Sequence, residues 1–416
     1  MRILFVHQNF PAQFVHLSAA LAEQGHEVIA MGLNPCKRPV KGVPYIQYRL
    51  ARGNGKDIHP WAVDFETKVV RADACAGAAK QLRAKGWSPD LLVVHSGWGE
   101  SWFLRDLWPS AKMLSYFEYY FRPTDSDIDF DPEFPVNELM AMRLRVRNAS
   151  NLVGLELCDV GISPMPSQKA TYPIVYQDKL RVIHDGIDTD RFTPSSRASF
   201  KLPNGLSLTR QDEVVTYAAR NLESTRGWHT FARALPRLLA QRPRAQVVIV
   251  GGRQLNYAAP LPGGQSHFER YWNEVKDKVD TSRVHMVGTL AHEDLMTVMR
   301  ISSAHVYLTY PFVLSWSMLE AMSMGALVLG SKTSPVEEVI THGVNGLLVD
   351  FFDAKALADA VGEVLHNTQM QPDFYHPLRA AARQTVVDRF DLKRVCLPQQ
   401  LALVTQLLDG ASRAHV

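Results

Sequence analysis

The sequence predicts an α/β protein made of two successive parallel-sheet domains. Three observations predict it. The chain has 416 residues, too many for a single hydrophobic core. Short apolar runs alternate with segments of helical period, the pattern of parallel sheets covered by helices on both faces. The alternation starts afresh after a polar stretch, Thr193 to Glu213.

The elements follow in order. Ile3 to Val6 is a short buried strand and HQNFPA a turn. Gln13 to Gln24 carries Phe14, Leu17 and Leu21 at helical spacing, and Gly25 stands where a helix is closed by glycine. Val28 to Ala30 opens the next strand. A helix over Phe65 to Lys85 leads to the strand Leu91 to Val94, which ends at His95. In the second series the strands are Val214 to Ala218, Val247 to Val250, Val284 to Val287, His305 to Leu308 and Leu327 to Leu329. Its helices run through Trp228 to Leu239, His292 to Ser302 and Met318 to Met324. The tail from Phe390 to Leu408 reads as a further helix. Ligands of open α/β sheets sit at the carboxyl ends of the strands, so two such domains are expected to hold a site in a cleft between them.

Composition narrows the class of function. Hydrophobic residues at 46% and charged residues at 21% exclude a disordered, collagenous or mainly coiled-coil chain. A formal charge of +3 gives no dense basic face, and no nucleic-acid partner is expected. Cys36, Cys75, Cys158 and Cys396 form no C-x-x-C pair, which argues against a zinc site or a disulfide framework. The apolar run before His7 is too short for a signal peptide, and no 18-residue apolar stretch occurs. A cytoplasmic location is expected. Arg143 and Arg147 share a helical face, which leaves open a weak peripheral contact with the inner face of a membrane.

Several motifs fail. GALVLGSKT (Gly325 to Thr333) is similar to a P-loop, but Ser331 intrudes before Lys332 and its interior is the apolar strand itself. No dinucleotide fingerprint, zincin or hydrolase motif is present. DSDIDFDPE (Asp125 to Glu133) resembles a calcium loop, yet Phe130 stands at the sixth place and Val136 at the twelfth. It is expected to be a solvated acidic loop, and no metal site is expected.

One segment carries a family resemblance. Leu319-Glu320-Ala321-Met322 and Gly325-Ala326-Leu327-Val328 match the run "LEAMACG.PVV" of the retaining family 4 glycosyltransferases. VIHDGIDTDRF (Val182 to Phe192) resembles that family's "VIPNGID...F", and AARNLESTRGWHTFARAL (Ala218 to Leu235) resembles its "GRL...KG...L..A". The motifs occur in the family's order and span most of the chain. The resemblance implies the GT-B architecture: two Rossmann-like domains facing across a cleft, with the last helix crossing back to the first. The expected domains are residues 1–190 for the acceptor, 191–388 for the nucleotide sugar, and 389–416 for the returning helix.

The resemblance also assigns residues. Arg220, ending a strand, and Arg226, in the following loop, match the family's phosphate-binding arginine and lysine. Two cations there can hold a diphosphate without a metal. Leu314, Ser315, Trp316 and Ser317 would offer backbone N–H groups at a helix start. Glu320 matches the glutamate that takes the ribose hydroxyls, while Ser317 and Glu320 also spell an S-x-x-E capping box. Base recognition falls to backbone near Val287, Gly288 and Leu290. The family's first glutamate, eight positions before Glu320, is replaced by Phe312. In the first domain, Glu118 of MLSYFEYYF stands in the place of the family's histidine. Glu118 is therefore expected to supply across the cleft the carboxylate that Phe312 cannot, with pairing to Arg122 as the structural alternative.

The residues themselves point to further positions. His95 ends a strand before Gly97 and Gly99, whose freedom permits a tight loop and the close approach of a ligand. His95 and Glu100 are catalytic or acceptor-side candidates, as are His7 at the first strand end and the aromatic Trp98. The resemblance implies transfer of a sugar from a nucleoside diphosphate to a hydroxyl acceptor, a glycan, glycolipid or small glycoside, with retention. The nucleotide sugar is a donor substrate and no cofactor is required. A non-catalytic nucleotide- or glycan-binding partner subunit, and a GT-B epimerase or hydrolase, remain as alternatives.

Overall fold

The computed structural model describes residues 1–413, and the chain forms two compact units. Unit 1 comprises Met1–Asp129, Pro135–Gly186 and the chain from Lys393 onward; unit 2 comprises Phe130–Phe134 and Ile187–Leu392. No helix among the described residues is long and apolar enough to cross a membrane.

Unit 1 is built on a seven-stranded sheet in which every neighbouring pair is parallel. Its strands are β1 (Arg2–Val6), β2 (Glu27–Gly32), β3 (Tyr45–Gln47), β4 (Leu91–His95), β5 (Lys112–Tyr116), β6 (Val160–Ser163) and β7 (Leu180–Val182). Their order is β3-β2-β1-β4-β5-β6-β7, so the winding reverses between β1 and β4. Alternate residues of β1 feed opposite faces. Ile3 and Phe5 pack with Leu17 and Leu21, while Leu4 and Val6 pack with Cys75 and Ala79. The final helix, Leu397–Arg413, adds Leu403, Val404 and Leu408 to the first of these layers, so the end of the chain returns to the first domain as expected. That helix begins later than the sequence pattern indicates. Phe390 closes a separate helix, His376–Phe390, and a π-helical turn, Leu392–Cys396, divides the two.

Unit 2 holds a six-stranded parallel sheet of β10 (Val214–Asn221), β11 (Gln246–Gly252), β12 (Val284–Gly288), β13 (Ala304–Tyr307), β14 (Val328–Ser331) and β15 (Leu347–Val349). A small antiparallel pair, β8 (Ser199–Lys201) and β9 (Ser207–Thr209), precedes it. The order β12-β11-β10-β13-β14-β15 places this reversal between β10 and β13. Ile187 N–H donates to the Phe390 carbonyl (2.7 Å) and Leu392 N–H to the Ile187 carbonyl (2.9 Å), so the entering and leaving segments of unit 2 run side by side.

The acidic stretch is not the solvated loop that its composition suggests. Phe130 packs against Tyr310, Phe351 and Phe352, and Phe134 stacks on His267. These rings carry Asp131 into unit 2, where it is 2% exposed. A buried carboxylate must be paired. The Tyr310 hydroxyl donates to Asp131 Oδ2, His229 Nε2 lies 3.1 Å from the same oxygen, and Glu133 N–H donates to Oδ1 (2.9 Å). Burial alone would raise this carboxyl; the bonds from His229 and Tyr310 outweigh it and hold the group below its ordinary range.

Candidate functional site

In unit 2, Arg220 and Arg226 lie at the reversal point, beyond the carboxyl end of β10, where open α/β sheets bind ligands. Arg220 lies near the end of β10 and is exposed; its Nη1 is 3.4 Å from the Tyr257 hydroxyl. Arg226 closes the turn Ser224–Arg226. Its Nη1 donates to Thr309 Oγ1 (2.8 Å) and to the Val313 carbonyl (3.1 Å), and its guanidinium stands 5.7 Å from the Tyr257 ring. The turn can close because of Gly227, which has φ +71°; a Cβ there would lie 2.3 Å from Leu308 Cβ. Helix Trp228–Gln241 starts directly after it. Tyr257 is held in place by Glu223, a buried carboxylate that accepts from the N–H groups of Asn256 and Tyr257.

The segment before helix Trp316–Ser323 differs from its expected form. Ser315 is the N-cap and accepts from the Ser317 N–H (3.3 Å), so Glu320 does not close a capping box with Ser317. The Ser315 N–H is taken by the Tyr307 hydroxyl (2.8 Å). Two of the expected outward donors are therefore spent inside the turn, which satisfies its own helix end. Leu314 is buried and Trp316 is exposed. Glu320 is 7% exposed and faces His292, whose Nε2 lies 3.3 Å from Oε1 and 3.4 Å from Oε2. Val287 and Gly288 end β12, the edge strand, two positions from β10. With Leu290 they form the loop that leads into helix His292–Ile301, and so connect to Glu320 through His292.

In unit 1 the register sets Val6 beside Val94 and His95 beside Tyr116, which brings the residue after β1 next to the ends of β4 and β5. His7 and His95 meet edge to face at 5.1 Å, and His95 also packs on Trp98 (5.6 Å) and Tyr116 (5.4 Å). His95 Nδ1 accepts from the Gly97 N–H (3.1 Å), which leaves the ring proton on Nε2. That nitrogen is buried without a hydrogen-bond partner and lies 3.8 Å from Glu118 Oε1. Glu118 Oε1 in turn accepts from Gln13 Nε2 (3.0 Å). Burial, helped by the neighbouring His95, pushes His7 well below its ordinary value and keeps it neutral. Gly97 leaves room for the His95 ring, whose Cε1 would lie 3.0 Å from a Cβ at that position.

Glu100 is not a surface group. It is 1% exposed, accepts from the Tyr48 hydroxyl (2.8 Å), and burial raises its carboxyl above the ordinary range. The contacts of Glu118 on its own unit include Gln13 and His95. Gln13, Glu223, Tyr257, His292 and Thr309 were invisible to motif reading, because nothing in their local sequence sets them apart from ordinary polar or aromatic residues.

Residues 24–192 match the glycosyl transferase family 4 group, and residues 204–385 match the glycosyl transferases group 1. The chain belongs to the group 1 (family 4) glycosyltransferases. The chain is 28% identical over 293 residues to D-inositol 3-phosphate glycosyltransferase of Corynebacterium jeikeium, a match over 68% of this chain and 65% of that one, just under two thirds of the relative. Its fold resembles sucrose-phosphate synthase of Thermosynechococcus elongatus, with a TM-score of 0.73 and 22% identity over 99% of this chain and 100% of that one. It also resembles HepE of Anabaena solved in complex with UDP, with a TM-score of 0.67 and 15% identity over 98% and 100%. The two parallel-sheet Rossmann-like units and the returning helix are the GT-B architecture.

Proposed function

We propose that this glycosyltransferase moves a sugar from a nucleoside diphosphate sugar to a hydroxyl acceptor with retention of anomeric configuration. The observation that carries the reading is the pair Arg220 and Arg226 at the reversal point of the unit 2 sheet, with Tyr257 beside both. Guanidinium groups fixed there would hold the diphosphate and stabilise the charge that develops as it leaves. Glu320 is assigned the ribose hydroxyls, and the backbone of Val287, Gly288 and Leu290 the base. The UDP named in the HepE complex supports a nucleotide in a protein of this fold.

In unit 1, His95 and Glu118 are assigned catalytic roles, and His7, Gly97 and Trp98 the acceptor. Glu100, buried on Tyr48, is assigned the support of that loop. The bond between the sugar C1 and the β-phosphate oxygen breaks while the acceptor oxygen bonds to C1 on the same face. The acceptor proton goes to the departing phosphate oxygen, so no separate base is needed. Glu118 is assigned the carboxylate function that Phe312 lacks.

One observation favours a second reading, in which the chain binds nucleotide without transfer. Phe312, in the place of the family's first glutamate, packs its ring on Tyr257 at 5.6 Å. Incubation with nucleotide-sugar donors and hydroxyl acceptors, followed by anomeric NMR of the products, separates the readings. A glycoside of unchanged anomeric configuration supports transfer. An isomerised or hydrolysed donor, or no turnover alongside nucleotide binding, contradicts it.

A further inference from the structure

The pairing of His292 with Glu320 has no counterpart among the residues assigned above. Glu320 is a carboxylate at 9% side-chain exposure, and His292 is 34% exposed. His292 Nε2 sits almost equally far from the two oxygens, 3.3 Å and 3.4 Å, so it engages both of them. The histidine is itself held. It is the first residue of helix His292–Ile301, where Ala291 supplies no capping side chain, and its ring rests on Phe192 at 5.5 Å. Phe192 is 5% exposed, and its carbonyl accepts from Ser323 Oγ (2.6 Å) on the helix that carries Glu320. Phe192, His292 and Glu320 thus form one packed chain of contacts.

An ionised carboxylate accepts hydrogen bonds through two oxygens and donates none. With both oxygens held by one imidazole N–H, their lone pairs directed away from the ring stay open in a set orientation, which suits two adjacent hydroxyls on one ligand. Groups that must recognise a ligand by hydrogen bonds work best when their orientation is fixed by a neighbour. We infer that His292 is a positioning residue, which orients Glu320 to read a vicinal diol, the 2′,3′-hydroxyls of a ribonucleotide. The inference rests on the nucleotide-sugar reading proposed above. It goes beyond that reading in making selectivity for ribose depend on a residue that need not touch the ligand.

The test is calorimetric titration of the full chain with UDP, GDP and ADP and with their 2′,3′-dideoxy counterparts, for wild type, His292→Ala, His292→Gln and Glu320→Gln. Removing both hydroxyls should weaken binding to wild type by about tenfold or more, the value of hydrogen bonds to a charged group. In His292→Ala that ratio should collapse to nearly one while the dideoxy nucleotide still binds as before. His292→Gln, which keeps an N–H donor, should restore much of the ratio. A merely structural histidine would weaken both nucleotides alike and leave the ratio unchanged, and that result overturns the inference. Nucleotide binding without ribose selectivity in wild type overturns it too, while leaving the phosphate site standing. Failure of wild type to bind any of the nucleotides overturns the nucleotide-sugar reading, and the inference with it.

Discussion

Arg226 is hydrogen-bonded to the carbonyl of Val313 at 3.1 Å, a bond that joins the loop after β10 to the loop before helix Trp316–Ser323. The same nitrogen also donates to Thr309 Oγ1, so one guanidinium both organises these loops and brings charge to them. Replacing Arg226 by Ala removes both effects. Nucleotide affinity should fall by about 1.5–3 kcal/mol, the usual value for hydrogen bonds to a charged group. The melting temperature should fall with it, because Thr309 and Val313 lose their partner. Arg226→Lys restores the charge without the fork and should recover only part of either loss. Calorimetry and thermal melts on the two variants check this.

Glu118→Gln tests the division of labour between the units. The amide is nearly isosteric and can still meet Gln13, but it cannot carry charge beside the unpartnered His95 Nε2. Sugar transfer should fall by roughly 10²-fold or more, the scale for loss of one electrostatic group at a reacting centre. Nucleotide binding should not change. Steady-state turnover and calorimetry on the same preparation measure the two quantities, and unchanged turnover would remove Glu118 from the mechanism.

Asp131 should matter to stability and little to nucleotide affinity. Its replacement by Ala leaves His229 and Tyr310 buried beside an empty space, 1% and 4% exposed. Such orphaned groups cost about 1–3 kcal/mol each. Thermal unfolding should show Asp131→Ala well below wild type, with Asp131→Asn in between because its amide oxygen can still accept from Tyr310.

Buried histidines set the response to acid. Burial lowers both His184 and His305 to about 4. Below the unfolded value, near pH 6.5, the unfolded chain takes up protons that the folded chain refuses, so stability is lost as pH falls from about 6.5 towards 4. At pH 4 each contributes a loss on the order of 3 kcal/mol relative to neutral pH. His305 Nδ1 lies 2.8 Å from Thr216 Oγ1 on the neighbouring strand. His305→Asn should melt at a lower temperature at pH 8 but lose less on acidification. Melting curves between pH 8 and pH 4 show whether the slopes differ.

The fold was largely legible, and for local reasons. Ile3 to Val6 and Val247 to Val250 are apolar on both faces, as strands of a covered parallel sheet are. Gly25 at φ +85° marks a helix boundary that the sequence shows directly. The arginines were legible because motif position and strand end coincide. What stayed hidden depends on tertiary pairing. Asp131 reads as one acid among several until Phe130 and Phe134 are seen to draw it inside. Glu320 reads as half of a capping box with Ser317 until Ser315 is found at the cap and His292 beside the carboxylate. Glu100 reads as a loop acid until Tyr48 is found against it. Tyr48, His229, Tyr310 and His292 are all distant in sequence from the acids they meet, so no spacing announces them.

The central claim is that unit 2 binds a nucleoside diphosphate through Arg220. It is tested most directly by calorimetric titration with UDP, GDP, ADP and dTDP, in wild type and in Arg220→Ala. Arg220 is exposed and has Tyr257 as a close side-chain neighbour at 3.4 Å, so the substitution should leave the melting temperature unchanged, as surface substitutions usually do. One of the four nucleotides should bind tightly to wild type, and Arg220→Ala should weaken it by roughly tenfold or more. Absence of binding by all four, or equal affinity in wild type and Arg220→Ala, would contradict it.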